Sequence, residues 1–313
     1  ESENSATPPN LVASAFSETL FAIYGKDAST LEANLYLLQQ FASEGKFPSL
    51  LSLAKAWHEK NLALADSPLA LAFVVCNLIE LPLIIEAGFK TLKGEPLDSS
   101  VADRVFYSRS PLGNEGQVAM VFPGSGADFP SMGADLSLRW PQSHLNYDKN
   151  SLKLRAQVLP EFYWQGRPFR QPLPHERIMA QVSFGCTTAE IMRLARIKTD
   201  LVLGYSLGES TALVAMGYWA DRDGLWHALE GSTLFKEDLV GKRQAIALSW
   251  GMEPGKVPDW LVGLVEKSPE DIEPYLVDFD RVYLLIINSP NECVIGGDAT
   301  QVKKLVKQLN CRL

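Results

Sequence analysis

Hydrophobic positions recur along this chain in two periods, one typical of β-strands and one typical of amphipathic helices. Over residues 11–110 they predict a small α+β unit, in which Leu31, Leu35 and Leu38 share one helix face. The expected elements are a strand at 20–24, helices at 27–43 and 48–60, a strand at 69–75, a helix at 80–92 and a strand at 104–108. No catalytic cluster is visible in this unit, so we interpret it as scaffold. Residues 1–10 are polar and contain proline and serine, which is typical of a loose linker.

A second group of elements is built around two short apolar strands. Residues 117–122 predict a strand that ends in the Gly-rich segment 123–129. This segment lacks the Gly-Lys-Ser/Thr of a P-loop and the third glycine of a dinucleotide-binding turn. It can still present backbone N–H groups to an anion, with an ordinary strand–turn as the alternative. Residues 141–176 are expected to be irregular, and a long helix at 177–195 leads to a strand at 201–203.

The C-terminal part of the chain predicts a βαββα order after a helix at 223–239. The expected elements are a strand at 244–250, a helix at 257–267, strands at 282–287 and 292–297, and a helix at 300–309. This order lacks the final strand of a split βαβ, ferredoxin-like unit, which would begin near Cys311. Because the chain also starts without methionine, we expect it to be part of a longer polypeptide.

Composition excludes several classes of function. The net charge is -8, from 29 basic and 37 acidic residues, and no basic run stands out, so nucleic-acid and membrane-surface binding are disfavoured. We expect no membrane-spanning segment and no secretory leader, and hence a cytoplasmic protein. Four scattered cysteines without CxxC spacing are typical of reduced thiols, and the histidines show no metal-ligand pattern, so we expect no metal site. Those histidines are His58, His144, His175 and His227.

The most informative segment is Gly204-Tyr-Ser-Leu-Gly208, which lies between the strand at 201–203 and a helix predicted from Glu209 to Met216. A strand, a GxSxG turn and a helix in this order are typical of a nucleophile elbow with Ser206 at its apex. The two glycines allow the backbones to approach closely, and the following helix directs its free N–H groups and positive dipole end towards Ser206. The alternative is an ordinary strand–turn–helix corner with an exposed serine.

Three segments together resemble the acyltransferase domains of fatty acid and polyketide synthases, whose usual motifs are FPGQGxQ, GHSxGE and NSP followed by a strand. The segments are Phe122-Pro-Gly-Ser-Gly-Ala-Asp128, Gly204-Tyr-Ser-Leu-Gly-Glu209 and Asn288-Ser-Pro-Asn-Glu-Cys-Val-Ile-Gly-Gly-Asp298. The resemblance covers residues 115–313. By architecture and position, residues 11–110 are similar to the linker that joins a ketosynthase to an acyltransferase in type I synthases.

The resemblance implies an α/β fold, with an α/β-hydrolase-like acyltransferase core and an inserted ferredoxin-like subdomain that is truncated here. The implied domains are a linker at 1–10, an α+β linker domain at 11–110, a large subdomain at 111–240 and the small subdomain at 241–313. The fragment itself can be a monomer, because dimer contacts in such synthases usually lie in other domains.

The resemblance also implies a ping-pong reaction. Ser206 would take an acyl group from acyl-CoA and pass it to the phosphopantetheine thiol of an acyl carrier protein. The backbone N–H groups of Ser125 and Leu207 would form the oxyanion hole, and Gly124 and Asn288 would lie in the substrate-binding region. A turn-capping role is the alternative for Asn288. The implied partners are the carrier protein and an adjacent ketosynthase domain in the same polypeptide. No cofactor bound by the domain itself is implied.

The chain departs from the family pattern at four places. Ser125 replaces the usual glutamine, and Tyr205 replaces the histidine before the nucleophile. Gly231 stands 25 positions after Ser206, where malonyl-type members carry an arginine that binds the substrate carboxylate. We therefore expect a non-carboxylated acyl group, unless a shifted helix lets another basic side chain take that role. The candidates are Arg222, Lys236 and Arg243.

The fourth departure is the general base. The family has a histidine about 110 residues after the serine, which would fall past residue 313, so we expect this fragment to be inactive or nearly so. Two alternatives stay open: a serine acyl hydrolase, as in patatin-like lipases, and a catalytically silent docking module of a megasynthase.

Overall fold

A computed structural model describes residues 18–149, 151–164, 170–239 and 241–312 of the chain. The predicted linker at 1–10 lies outside the described residues. The strands are β1 (Thr19–Gly25), β2 (Leu69–Val75), β3 (Val105–Tyr107), β4 (Ala119–Phe122), β5 (Leu201–Gly204), β6 (Trp260–Val265), β7 (Val282–Ser289) and β8 (Glu292–Asp298). The helices are α1 (Ala28–Ser43), α2 (Leu50–Asn61), α3 (Leu81–Lys93), α4 (Ala134–Arg139), α5 (Gln142–Asp148), α6 (Leu154–Val158), α7 (Pro160–Tyr163), α8 (Pro174–Leu194), α9 (Leu207–Ala215), α10 (Arg222–Gly231), α11 (Gln244–Ser249), α12 (Pro269–Leu276) and α13 (Ala299–Gln308).

The chain divides into two compact units. Among the described residues, the first comprises those up to 154 together with 160–164 and 181–219. The second comprises 155–159, 170–180 and the described residues from 220 onward. The domain boundaries predicted at residues 10, 110 and 240 stay predictions. In the described part, no helix combines the length and the apolar character that a membrane span requires.

The N-terminal sheet of the first unit has the antiparallel order β1-β2-β3. Helices α1, α2 and α3 bury one face of it, with Phe21, Leu35 and Phe73 fully inaccessible to solvent. The indole Nε1 of Trp57 donates to the carbonyl of Ala22 at 3.0 Å and ties α2 to β1. All six elements predicted for this region are present, because each combines the right period with a clear stop signal.

The second sheet of this unit pairs β4 with β5 in parallel, from Ala119 opposite Leu201 to Phe122 opposite Gly204. Parallel pairing places the carboxyl ends of both strands at one edge of the sheet. The Gly-rich segment and the segment around Ser206 therefore leave the sheet side by side. Residues 141–176 were expected to be irregular, but α5, α6 and α7 form short helical turns there.

The second unit contains a three-stranded antiparallel sheet of order β6-β8-β7. Since β6 and β7 both run antiparallel to β8, they are parallel to each other with β8 between them, which is the split βαβ arrangement. A core that includes Val265, Ile295 and Leu305 joins the sheet to α12 and α13. A βαββα order is present in this unit, formed by β6, α12, β7, β8 and α13, but its first strand and first helix lie at other residues than those predicted.

Two of the predicted elements in this unit were wrong. Residues 244–250 were expected to be a strand but form α11, whose Ala and Leu residues favour a helix. Residues 257–267 were expected to be a helix, but β6 occupies their centre and pairs with β8 along its whole length. Pro258 removes a backbone donor just before β6, and the pairing with β8 outweighs the local preference.

Candidate active site

The turn between β5 and α9 holds Ser206 in a strained conformation. Its φ is 53° and its ψ is -115°, and a positive φ is uncommon for a residue with a side chain. Such strain persists only where the surrounding structure holds it, and it concentrates at functional sites. Ser206 is solvent-exposed, and its hydroxyl has no hydrogen-bond partner within the described ranges.

Two glycines make this turn possible. A Cβ on Gly204 would lie 2.2 Å from the amide nitrogen of Glu209, and a Cβ on Gly208 would lie 2.1 Å from the carbonyl oxygen of Phe122. Neither distance leaves room for a side chain, because the neighbouring atoms belong to the backbone. The GxSxG spacing is therefore required by the packing of β5, α9 and the end of β4.

The Gly-rich segment after β4 lies against the same turn. The N–H of Tyr205 donates to the carbonyl of Phe122 at 3.0 Å, and a Cβ on Gly124 would lie 2.9 Å from the Tyr205 ring. In the part of the chain that the structure describes, the N–H groups of Ser125 and Leu207 donate to no protein acceptor. Leu207 is the first residue of α9, where helical N–H groups have no intrahelical partner. Two free donors thus come from the two segments that flank Ser206.

Side chains distant in sequence hold the Gly-rich segment in place. Gln181 on α8 accepts from the N–H of Ala127 at 3.2 Å, and Tyr163 donates to the Asp128 carboxylate at 2.8 Å. The carbonyl of Tyr163 also accepts from the N–H of Ser131. Sequence reasoning missed these supports, because no local pattern links residues so far apart in the chain.

A charged contact connects the N-terminal ends of β4 and β5, at the edge of the sheet away from Ser206. Lys198 lies 2.5 Å from the carboxylate of Asp200, which also accepts from the N–H of Val118 at 3.0 Å. These two hydrogen bonds hold the pKa of Asp200 below its usual range. The contact pins the start of β5 to the start of β4, so the pairing that presents Ser206 is secured at both ends.

Gly231 is the last residue of α10 in the second unit. A Cβ built there meets no atom within 4 Å, and the residue is exposed. Each basic side chain that could replace an arginine here has a partner of its own. Arg222 is buried and donates to Gln157, Lys236 donates to the carbonyl of Glu230, and Arg243 donates to the carbonyl of Pro258.

Asn288 lies at the end of β7, where the register shifts twice, between Leu284 and Ile286 and between Ile287 and Ser289. Its Nδ2 donates to the Glu292 carboxylate at 2.9 Å. Its Oδ1 is buried and has no donor among the described residues. The amide thus contacts a side chain across the hairpin turn, and both the substrate-binding role and the turn-capping alternative stay predictions. Sequence reasoning did not identify Glu292.

Two of the four histidines, His58 and His144, lie in the first unit, and the other two lie in the second. His58 contacts the carbonyl of Leu20, and His144 contacts the hydroxyl of Ser137 at 2.7 Å. In the second unit, His175 is buried against Trp226 and His227 lies 3.5 Å from Glu230. Burial lowers the pKa of His175. His58 and His144 lie in the same unit as Ser206, and neither contacts its hydroxyl within the residues that the structure describes.

Comparisons with known proteins agree with the resemblance seen in the sequence. No protein-family model matches the chain. It is 25% identical to the malonyl CoA-acyl carrier protein transacylase of Bacillus subtilis over 187 residues, which cover 60% of this chain and 55% of that protein. It is also 25% identical to the polyketide synthase GfsE of Streptomyces halstedii over 323 residues, which cover 99% of this chain and 8% of the synthase. The chain thus spans about half of the transacylase and less than a tenth of the synthase.

Solved structures agree on the fold. The acyl transferase domain of SpnD, crystallised with 2-(pent-4-yn-1-yl)malonyl, matches 95% of this chain and 63% of its own with a TM-score of 0.62 at 18% identity. At this identity the match shows the fold alone. The predicted α/β fold is therefore confirmed.

Proposed function

We propose that this chain, which is related in sequence and fold to the acyltransferase domains of polyketide synthases, transfers acyl groups through an ester of Ser206. The observation that carries the proposal is the exposed, strained Ser206 between two segments that present free N–H groups. A strained serine at a strand–helix turn is the usual arrangement of an acyl-accepting nucleophile. The exposed hydroxyl leaves room for a thioester to approach.

In the proposed reaction, the Ser206 hydroxyl attacks the carbonyl carbon of an acyl-CoA thioester. Its proton passes to a general base, the carbon–sulfur bond breaks, and the CoA thiol leaves with that proton. The thiol of a carrier-protein phosphopantetheine then attacks the Ser206 ester and restores the hydroxyl. The resemblance implies a histidine as the base.

The N–H groups of Ser125 and Leu207 are the proposed oxyanion hole. They would donate to the carbonyl oxygen as it gains negative charge in the tetrahedral intermediate. Loss of one such donor typically costs about 3–4 kcal/mol of barrier. Because both donors are backbone groups, the replacement of glutamine by Ser125 leaves this contribution intact. Gly124, which packs against Tyr205, would keep the segment close to the elbow.

Gly231 supports a preference for non-carboxylated acyl groups, such as acetyl or longer acyl chains. A charged hydrogen bond from an arginine to a carboxylate contributes about 1.5–3 kcal/mol, which is about ten- to a hundredfold in selectivity. Gly231 cannot supply it, and the nearby basic side chains Arg222, Lys236 and Arg243 already have protein partners. A malonyl carboxylate would be left without its usual partner.

The proposed acceptor is the phosphopantetheine thiol of an acyl carrier protein, in polyketide or fatty acid biosynthesis. The name of the Bacillus subtilis relative, which acts on an acyl carrier protein, supports this acceptor. The match to nearly the whole of this chain within a polyketide synthase supports a location inside a larger polypeptide with an adjacent ketosynthase.

Incubation with acetyl-, malonyl- and long-chain acyl-CoA, followed by intact-mass measurement, tests the proposal. The incubation uses a longer polypeptide that includes the histidine implied by the resemblance, and we expect an acyl adduct from the non-carboxylated thioesters that is absent in its Ser206→Ala variant. The present chain, incubated in parallel, should show little or no labelling. Dominant malonyl labelling would contradict the selectivity argument and keep the transferase.

Two alternatives are separated by the same experiment. Release of free acid without a carrier protein would identify a serine acyl hydrolase. A chain that binds no thioester and forms no adduct in either polypeptide would be a silent docking module, and the proposed function would then be wrong.

A further inference from the structure

A cavity of about 390 Å³ lies within the first unit, beside β4. Its walls are all four residues of β4, part of the Gly-rich segment that follows, one side of α8 and Thr211 of α9. Among the described residues, none that lines it is charged and none belongs to β5, so it runs along the edge of β4 that faces away from β5. Its surface is mostly apolar, and its volume is in the range of small-molecule sites.

The polar side chains in the cavity wall already have protein partners. The hydroxyls of Thr188 and Thr211 each donate to the carbonyl one turn earlier in their own helix, at 3.0 and 3.1 Å. The side chain of Gln181 accepts from the N–H of Ala127 at 3.2 Å. A polar ligand would lose its hydration here without gaining new hydrogen bonds from these side chains, so the cavity favours an apolar occupant.

One end of the cavity lies against the elbow. Pro123 and Ala127 both line it, and Ser125, the proposed oxyanion donor, stands midway between them in the chain. The carbonyl of Phe122, also in the cavity wall, accepts from the N–H of Tyr205, the residue before the nucleophile. A thioester whose carbonyl is bound by the Ser125 N–H would therefore have the cavity within reach of its acyl chain, which is the part that apolar walls match.

From the elbow the cavity extends along α8. Gln181, which holds the Gly-rich segment, and Met192 both line it, and they are about 16 Å apart along the helix axis. A methylene group takes up roughly the volume of a water molecule in the liquid, about 30 Å³, so the cavity has room for a chain of about ten carbons. The space thus fits a medium-length acyl chain and is much larger than an acetyl group requires.

We propose that this cavity binds the acyl chain of the thioester, and that the chain therefore acts on acyl groups of about eight to ten carbons. This inference rests on the proposed acyl transfer through Ser206. The alternative occupant is an extended segment of a longer polypeptide, which would pair with the free edge of β4 and fill the same space.

The first test compares chain lengths. The acyl-CoA concentration for half-maximal Ser206 acylation is measured in the longer polypeptide that includes the implied histidine. Burial of one methylene group raises affinity by up to about fourfold. Partial burial of the additional methylenes of octanoyl-CoA should therefore lower half-saturation about tenfold or more relative to acetyl-CoA. Equal half-saturation by the two thioesters would overturn the proposal.

Two tryptophan substitutions on α8 make the test specific to the cavity. Thr188→Trp fills its middle and should raise half-saturation by octanoyl-CoA about tenfold, while Met192→Trp fills the end remote from the elbow and should weaken only dodecanoyl-CoA. Acetyl-CoA should react equally with wild type and both variants, which a general folding defect would not allow. The matched control is Leu194→Trp, which adds the same ring at an exposed position of α8 outside the cavity. Equal half-saturation by octanoyl-CoA in Thr188→Trp and Leu194→Trp would contradict the assignment.

A binding measurement separates the cavity from the transfer reaction. In the Ser206→Ala variant, the Kd of octanoyl-CoA should be lower than that of CoA, and Thr188→Trp should remove the difference. If Ser206 is acylated without a preference for chain length, the cavity proposal is wrong and the transferase stands. Strong protection from hydrogen exchange of the β4 amides at its free edge, with no effect of Thr188→Trp, would show that polypeptide fills the space and would also overturn the proposal. If no thioester acylates Ser206 but octanoyl-CoA still binds through the cavity, the proposed function has failed and the acyl-binding site remains.

Discussion

Replacement of Gly208 by alanine would test whether the contact between the elbow and β4 positions Ser206. A Cβ at this position would lie 2.1 Å from the carbonyl oxygen of Phe122 and 2.7 Å from its carbonyl carbon. Ordinary contact begins at 3.4 Å, so one backbone has to retreat by about 1.3 Å. Neither neighbour is a flexible side chain that can rotate out of the way.

The displacement falls directly on the proposed oxyanion hole. Phe122 is followed by the segment that carries the Ser125 N–H, and Gly208 follows Leu207. A shift of about 1 Å between reacting groups can cost about a hundredfold in rate. The overpacking itself typically costs about 1–3 kcal/mol of stability. We therefore expect acylation to fall roughly a hundredfold while the protein remains folded.

The assay is the rate of Ser206 acylation by acetyl-CoA in the longer polypeptide that includes the implied histidine, followed by intact mass, with unfolding in urea as the stability measure. Gly88→Ala is the matched control, because its Cβ would meet only the Leu35 and Leu71 side chains, at 3.1 and 3.2 Å. That variant also overpacks a core but should acylate at the wild-type rate. An acylation rate for Gly208→Ala within threefold of wild type would refute the reasoning.

Three further changes test other parts of the molecule. Gly231→Arg should raise the acylation rate with malonyl-CoA relative to acetyl-CoA by about tenfold or more, since it supplies a carboxylate partner in open space; an unchanged ratio would contradict the role given to this position. His175→Phe should reduce the loss of unfolding free energy between pH 7.5 and pH 5.5. Burial lowers the pKa of His175, against the opposing effect of Glu176 and Glu230. As pH falls, the unfolded chain therefore takes up a proton at this position before the folded protein does, and wild type loses stability below about pH 6.5. Equal losses of unfolding free energy in wild type and His175→Phe would contradict this role of His175. Trp57→Phe removes the hydrogen bond to the Ala22 carbonyl and part of a buried ring. It should lower the free energy of unfolding, measured in urea, by about 2–4 kcal/mol. A change below about 0.5 kcal/mol would show that this hydrogen bond and the lost ring contribute little to stability.

The parts of the fold that were predictable are those set by local chemistry. The strand–turn–helix at Ser206 follows from a short apolar run, two glycines and a helix-forming segment, and the structure places β5 and α9 there. The errors at α11 and β6 arose where pairing with a distant strand overrides local preference, because Trp260 to Val265 acquires its strand character from β8.

The contacts of the candidate site were less predictable than its motifs. Gln181 and Tyr163 support the Gly-rich segment from elsewhere in the chain, and neither belongs to a recognisable pattern. Glu292 was visible only as a neighbour of the Asn-Ser-Pro segment until the hairpin register placed it against Asn288. Such contacts depend on the tertiary arrangement, which the local pattern of a single sequence does not specify.

The departures from the family pattern affect different kinds of contact: packing, a backbone N–H group and a substrate-binding side chain. This difference supports the proposal that acyl transfer is retained and that its selectivity for the acyl group is altered. Tyr205 packs its ring against Gly124, so the position serves contact rather than proton transfer. Ser125 replaces a side chain where the proposed contribution is a backbone N–H, which any residue but proline supplies. Gly231 stands where the resemblance implies an arginine that binds the substrate, and a Cβ built there meets no atom within 4 Å. Gly204 and Gly208 are required by the packing of β4, β5 and α9, and this packing also holds the proposed nucleophile Ser206 in its strained turn. The departure at Gly231 leaves that packing untouched, so we expect it to change which acyl group is accepted and to leave the transfer step itself in place.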